Sequence, residues 1–93
     1  GVSPLYVAAR RGHLSVVEWL VDHRVRLDEK DEAGRTALHA AAEGGHKDVV
    51  ALLLAYGADV NSSEKSGWTA LRYARVAGHT DVVEQLIARE NGE

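Results

Sequence analysis

Three of the five histidines recur at one interval, and they are the first residues to consider for metal binding. His13, His46 and His79 follow one another at a spacing of 33 residues. An imidazole nitrogen binds zinc at about 2 Å, whereas the axes of packed helices lie roughly 8–10 Å apart. Histidines at equivalent places in successive packed units therefore cannot share one ion. We expect them to hydrogen-bond to turn backbone, and we expect no metal and no other cofactor.

Catalytic motifs are equally hard to find. The sequence contains no G-x-S-x-G elbow, no H-E-x-x-H pair and no Walker A loop. It has no cysteine, which excludes a cysteine nucleophile and a thiolate zinc site. Asp59, Ser62 and Ser63 lie in a polar stretch where local hydrogen bonding explains them. The sequence therefore predicts a protein that is not an enzyme.

Composition and charge narrow the class of partner. The 93 residues carry 11 Lys and Arg against 14 Asp and Glu, a net charge of −3. Nucleic-acid-binding proteins usually show a strongly basic surface, so the balance argues against nucleic acid. No apolar stretch approaches the roughly 20 residues that a membrane span requires. The chain lacks methionine as well as cysteine, so we expect a fragment of a longer cytoplasmic or nuclear protein.

The interval between the histidines extends to the whole chain, because a shift of 33 residues aligns the sequence with itself without a gap. Eight columns are then identical in all three copies. They are Gly1/Gly34/Gly67, Leu5/Leu38/Leu71, Ala8/Ala41/Ala74, Gly12/Gly45/Gly78, His13/His46/His79, Val16/Val49/Val82, Val17/Val50/Val83 and Leu20/Leu53/Leu86.

Each copy predicts two short helices that leave buried faces for their neighbours. Ser or Thr stands at the N-cap of the first helix, and glycine follows its end as a left-handed residue. The second helix carries an i, i+1, i+4, i+5 apolar stripe, which begins with Val16 and Val17 in the first copy. Trp19 aligns with Leu52 on this helix, and we expect it to lie in the core. Helices this short are marginal alone, so neighbouring copies must stabilise them.

These features resemble the ankyrin-repeat family. The resemblance rests on Asp31-Glu-Ala-Gly-Arg-Thr-Ala-Leu-His39, on Gly45-His46, on Leu52-Leu53-Leu54 and on Gly57-Ala-Asp-Val-Asn61. It implies an all-α solenoid of paired antiparallel helices with β-turn fingers, and a structural role for His39. The repeats would span residues 1–30, 31–63 and 64–93, the first truncated at its N-terminal end.

The outer copies depart from the family pattern. Arg24 stands in the first repeat where the second has Gly57. In the third repeat Arg72, Arg75 and Gln85 replace His39, Ala42 and Leu52. Polar residues at stacking positions are typical of a terminal capping repeat, so we interpret the third repeat as cap-like.

The resemblance also implies a binding surface, because partners of ankyrin repeats usually dock on the concave side formed by the finger tips and the first helices. We call this predicted surface the groove. Carried over by position, it comprises Val2, Arg10, Arg11, Lys30, Glu32, Ala33, Arg35, Glu43, Gly44, Ser63, Lys65, Ser66, Trp68, Val76 and Ala77. Its chemistry is graded, with arginines at one end, glutamates between, and Trp68 beside small apolar residues at the other.

Two hypotheses of function follow. In the first, the groove binds a protein or peptide segment that places acidic residues near Arg10 and Arg11 and an apolar anchor against Trp68. Each pole has a structural alternative: the arginines could be a solvated helix end, and the indole could cover a neighbouring finger. In the second hypothesis, the chain is a scaffolding part of a longer array and self-associates through an open N-terminal stacking face.

Overall fold

The computed structural model describes residues 3–92, and within them six helices form three antiparallel pairs. The helices are α1 (Pro4–Arg11), α2 (Leu14–Asp22), α3 (Ala37–Gly44), α4 (Lys47–Ala55), α5 (Ala70–Ala77) and α6 (Thr80–Glu90). The first helices α1, α3 and α5 pack side by side in one layer, and α2, α4 and α6 form the other. The all-α solenoid of paired helices that the resemblance implies is confirmed.

The predicted caps and turns of the first helices are confirmed. The Ser3 hydroxyl accepts a hydrogen bond from the Tyr6 N–H at 3.0 Å and so begins α1. Gly12, Gly45 and Gly78 end α1, α3 and α5 with φ of +70°, +72° and +80°. This left-handed conformation costs a residue with a Cβ roughly 1–2 kcal/mol. Arg24 nevertheless adopts φ +60° where the second repeat has Gly57 at φ +93°.

Small side chains allow the first helices to approach closely, and branched ones fill the layer behind them. Ala8, Ala41 and Ala74 are buried at equivalent places in α1, α3 and α5. Val17, Val50 and Leu53 are among the fully buried residues of the second helices. These positions come from all three repeats, so a single core runs through the stack.

A histidine from each later repeat lies on the glycine of the repeat before it. The His46 ring packs against Gly12, and the His79 ring packs against Gly45. His46 Nε2 donates to the Arg10 carbonyl at 2.9 Å, and His79 Nε2 donates to the Glu43 carbonyl at 3.0 Å. The predicted hydrogen bond from histidine to backbone is therefore present for these two residues. Its acceptor lies in the last turn of the preceding first helix and not in the connecting turn, so the bond crosses between repeats.

Two residues expected in the core lie at the surface instead. Trp19 is 59% exposed and Val16 is 44% exposed, whereas their neighbours in the stripe, Val17 and Val21, are buried. Val49 and Val82, the equivalents of Val16, are 0% exposed. In repeats 2 and 3, one side of the second helix packs against the second helix of the preceding repeat, which is α2 or α4. The same side of α2 has no described neighbour. The Trp19 ring stacks on His23 instead, at 3.8 Å between centroids.

Gln85 does not mark the outer face of a cap as predicted. Its amide nitrogen donates to the Lys47 carbonyl at 3.0 Å, so the side chain faces repeat 2 and not the outer side of the array. Arg72 and Arg75 are exposed where the equivalent His39 and Ala42 are buried. The cap-like interpretation of the third repeat stays a prediction, and it depends on these two arginines.

The contact between histidine and glycine predicts a difference between two chemically identical substitutions. A Cβ at position 12 would lie 2.5 Å from the His46 ring, whereas a Cβ at position 78 would meet nothing within 4 Å. Both residues have positive φ, so both alanines carry similar backbone strain. Gly12→Ala should lower the free energy of unfolding by a further 1–3 kcal/mol or so, because the His46 ring must shift.

Urea denaturation of Gly12→Ala beside Gly78→Ala measures this difference. Equal losses in the two variants would show that the position of the histidine ring does not constrain the stack.

Candidate functional site

The groove residues within the described range belong to the first helices and to the two fingers that precede α3 and α5, with Lys30 and Ser63 directly before these fingers. We define the second finger as residues 31–35 and the third as residues 64–68. In each finger, the carboxylate of the first residue accepts a hydrogen bond from the backbone N–H of the last residue. Asp31 Oδ1 accepts from the Arg35 N–H at 2.8 Å, and Glu64 Oε1 accepts from the Trp68 N–H at 2.9 Å. The two carboxylates are 33 residues apart, so they occupy the same position in their repeats and make the same hydrogen bond. Both fingers are therefore folded by local chemistry before a partner is present.

Asp31 also orients the side chain of Arg35. Its second oxygen, Oδ2, lies 2.9 Å from Arg35 Nε, and the guanidinium carbon is 5.6 Å from the centre of the Tyr6 ring. Burial opposes ionisation of Asp31, yet the hydrogen bonds from the Arg35 backbone and side chain hold the pKa of the carboxyl below its usual range. The carboxylate thus stays charged, and Arg35 is held at the base of the second finger.

Glu64 anchors the third finger to α5. Its Oε2 accepts from the Tyr73 hydroxyl at 3.0 Å, and the Trp68 and Tyr73 rings meet edge to face at 5.3 Å. Burial, together with the bond to Glu64, raises the pKa of Tyr73 to about 12. The phenol therefore remains a hydrogen-bond donor throughout the neutral range.

Backbone and side-chain bonds join the finger layer to the helices beneath it. The Lys65 N–H donates to the Ala33 carbonyl at 2.8 Å, which pairs the third finger with the second. His39 is 2% exposed, and its Nδ1 accepts from the Thr36 N–H while its Nε2 donates to the Trp68 carbonyl at 3.1 Å. Burial holds the pKa of His39 below its usual range, so the ring is neutral at pH 7. These contacts agree with the structural role that the resemblance implies for His39.

Every groove residue within the described range has solvent-accessible surface. Val2 lies outside the described residues. Ala33, Arg35 and Trp68 are partly exposed, and the others are exposed, namely Arg10, Arg11, Lys30, Glu32, Glu43, Gly44, Ser63, Lys65, Ser66, Val76 and Ala77. A partner can therefore reach all of them, which is a condition for the predicted surface and not a test of it.

The structure divides these residues among separate clefts. Arg10, Arg11 and Arg35 line one cleft of about 520 Å³ together with Tyr6 and Val7. Lys30 lies apart, in a cleft of about 450 Å³ formed by residues 26–30. Val76 lines a third cleft, of about 350 Å³, beside Arg72 and Arg75. Arg35 thus joins the basic end of the groove.

Sequence reasoning missed Tyr6, Val7, Arg72 and Arg75 as residues that line these clefts. Tyr6 and Val7 lie on α1 beside positions assigned to packing, and Arg72 and Arg75 were interpreted only as cap residues. A signal was present: Tyr6 and Arg72 stand in the column of His39, and both depart from it. Where a structural histidine is replaced, its contact to the next finger changes and the local surface changes with it.

Trp68 is held between two side chains. The Arg72 guanidinium carbon lies 4.4 Å from the indole centre, and Tyr73 contacts the ring edge. This arrangement suits the interpretation that the indole covers its own repeat. It also leaves a partly exposed aromatic surface in one fixed orientation, so the interpretation as a partner anchor stays a prediction.

Within residues 3–92, no three His, Cys, Asp or Glu side chains are grouped so that they could hold a metal ion. No helix in the same range has the length and apolar character needed to cross a bilayer.

Comparison with known proteins agrees with this architecture. A family model described as Ankyrin repeats (3 copies) matches residues 5–93. A search of the curated proteins gives no match. The six paired helices, the 33-residue period and the match over almost the entire chain show that this protein belongs to the ankyrin-repeat family.

Proposed function

We propose that this chain is a non-catalytic interaction module that presents the groove to a segment of a partner protein in the cytoplasm or nucleus. Ankyrin repeats are generally protein–protein interaction modules. The observation that supports the proposal for this chain is that the side chains assigned to the groove keep solvent-accessible surface and differ in character between repeats. Arg10 and Arg11 are exposed in repeat 1, whereas Trp68 is partly exposed and Val76 is exposed in repeat 3.

The rigidity of the surface supports this proposal. The fingers are closed by Asp31 and Glu64 and are paired through Lys65 and Ala33 before any ligand binds. A surface that is already ordered loses less conformational entropy on binding, so more of the contact energy appears as affinity. A rigid indole is therefore a suitable anchor.

The positive charges that repeat 1 leaves unpaired within residues 3–92 favour one orientation of a bound partner segment. No carboxylate among the described residues lies within 4.0 Å of a nitrogen of Arg10 or Arg11, whereas Arg35 is paired with Asp31. Charged side chains at the edge of an interface act chiefly through steering and register. We therefore place the acidic part of the partner at repeat 1 and its apolar anchor at repeat 3.

Two substitutions test the groove. Arg11→Glu reverses the charge at the basic end, and Trp68→Ala removes the proposed anchor. Each should weaken binding to the natural partner by at least about threefold, because buried aromatic and arginine contacts dominate interfaces of this kind.

Matched variants on the other face control for charge and for aromatic surface. Lys47→Glu makes the same charge reversal on α4, and Tyr56→Ala removes an aromatic ring that is 48% exposed. Both should bind the partner as the original chain does. If neither groove variant lowers the affinity while both remain folded by circular dichroism, the partner does not use the groove.

A second candidate function is that of a scaffold segment that self-associates. The observation that favours it is the apolar side of α2, where Val16 and Trp19 are 44% and 59% exposed. We call these two residues the N-terminal face. His13 lies in the same layer, and none of the described carbonyls accepts a bond from it as Arg10 and Glu43 do from His46 and His79.

Sedimentation equilibrium separates the two functions. Self-association through the N-terminal face should give a dimer whose fraction rises with concentration, and Val16→Asp should abolish it without lowering the free energy of unfolding. A monomer at all concentrations would contradict the scaffold hypothesis and would leave the groove hypothesis intact.

A further inference from the structure

We propose that the cleft between α1 and the second finger is an anion-recognition site for an extended acidic segment of a partner protein, with Arg35 and the Tyr6 hydroxyl as its fixed donors. This inference rests on the proposed function and assigns to one part of the groove its own chemistry. The cleft is lined by Tyr6, Val7, Arg10, Arg11 and Arg35 and measures about 520 Å³.

Arg35 is held as a donor that faces the cleft. Its Nε is bound to Asp31, and its guanidinium lies over the Tyr6 ring. Its two terminal nitrogens have no hydrogen-bond partner among residues 3–92. A planar guanidinium binds a carboxylate through two parallel bonds, and one that is already oriented loses less entropy when it does so.

Tyr6 provides the second fixed donor. Its residue surface is only 4% exposed, yet its hydroxyl has no hydrogen-bond partner in the described part of the chain and the side chain lines the cleft. The hydroxyl itself keeps contact with solvent at the cleft wall, since Gln85 Oε1 is the only buried side-chain polar atom without a partner among residues 3–92. The hydroxyl is therefore open to a ligand. A bound carboxylate oxygen would supply the missing acceptor.

The repeat provides an internal comparison. At the equivalent place between repeats 2 and 3, His39 stands for Tyr6 and uses its donor on the Trp68 carbonyl. Glu43 there stands for Arg10, and Trp68 stands for Arg35. The free donors and the basic residues therefore occur together only at the junction of repeats 1 and 2, and packing of the fold does not require them.

The size and electrostatics of the cleft favour a segment over a single small anion. Its volume is that of a ligand site and far exceeds one carboxylate or one phosphate. Val7 and the Tyr6 ring supply an apolar wall against which the methylenes of glutamate side chains can pack. The Asp31 carboxylate lies 2.9 Å from Arg35 Nε, and this neighbouring negative charge would oppose a dianion more than a series of single charges.

The test uses acetylated, amidated tetraglutamate as the probe and the matching tetraglutamine as its neutral control. In ¹H–¹⁵N spectra of the whole chain, tetraglutamate should shift the Nε–Hε signals of Arg10, Arg11 and Arg35, and tetraglutamine should not. Arg35→Gln should weaken tetraglutamate binding about fivefold or more, and Tyr6→Phe about twofold to threefold, since charge-assisted bonds are the stronger class.

Lys47→Gln removes one positive charge from α4 and serves as the matched control. Equal weakening by Lys47→Gln and Arg35→Gln would show general charge attraction and would overturn the proposal. Shifts with inorganic phosphate at the concentrations that suffice for tetraglutamate would overturn the assignment to a segment. Should tetraglutamate fail to bind while Arg11→Glu and Trp68→Ala still weaken the natural partner, this site is wrong and the proposed function stands.

Discussion

The contact of His46 and of His79 with the preceding repeat is the constraint on which the rest of the structure depends. The His46 and His79 rings each lie on a left-handed glycine and donate to the carbonyl at the end of the preceding first helix. Only glycine allows that approach, because a Cβ would overlap the ring. The glycine thus sets the distance between the first helix of one repeat and the histidine of the next, and the histidine hydrogen bond sets the register of the two repeats. Helices of eight to eleven residues are marginal in isolation, so stability resides in these junctions.

The groove inherits its geometry from the same junctions. His39 connects α3 to the carbonyl of Trp68, and Lys65 pairs with Ala33, so each finger is fixed to its neighbour as well as to its own helix. The surface that results is a property of the stack and not of a single repeat. The side chains that the repeat pattern does not fix differ from one end of the groove to the other, with arginines beside Tyr6, an acidic centre, and an indole at the far end. Ankyrin repeats are generally protein–protein interaction modules, and a surface of this kind suits that use.

Much of the fold could be predicted from the sequence, because caps, glycine turns and the 33-residue period are local or repeated signals. These signals do not predict that Val16 and Trp19 are exposed, nor that Gln85 faces repeat 2. Periodicity gives the place of a residue within a repeat, but burial also depends on whether a neighbour lies on that side. Val16 is identical to Val49 and Val82 in sequence and opposite to them in exposure. The Tyr6 and Arg35 cleft was missed for a related reason, since it arises from two repeats whose side chains meet only in the stack.

Circular dichroism and urea unfolding of residues 31–93 alone, compared with the whole chain, test the central claim that each repeat depends on its neighbours. Removal of repeat 1 takes away the helices that cover Val49 and the carbonyl that receives His46. About three stacked repeats are needed for independent stability, so the shortened chain should lose most of its helical signal or unfold at much lower urea. Retention of the helical signal with an unchanged midpoint would contradict the account, because it would show that the repeats fold independently of their stacking.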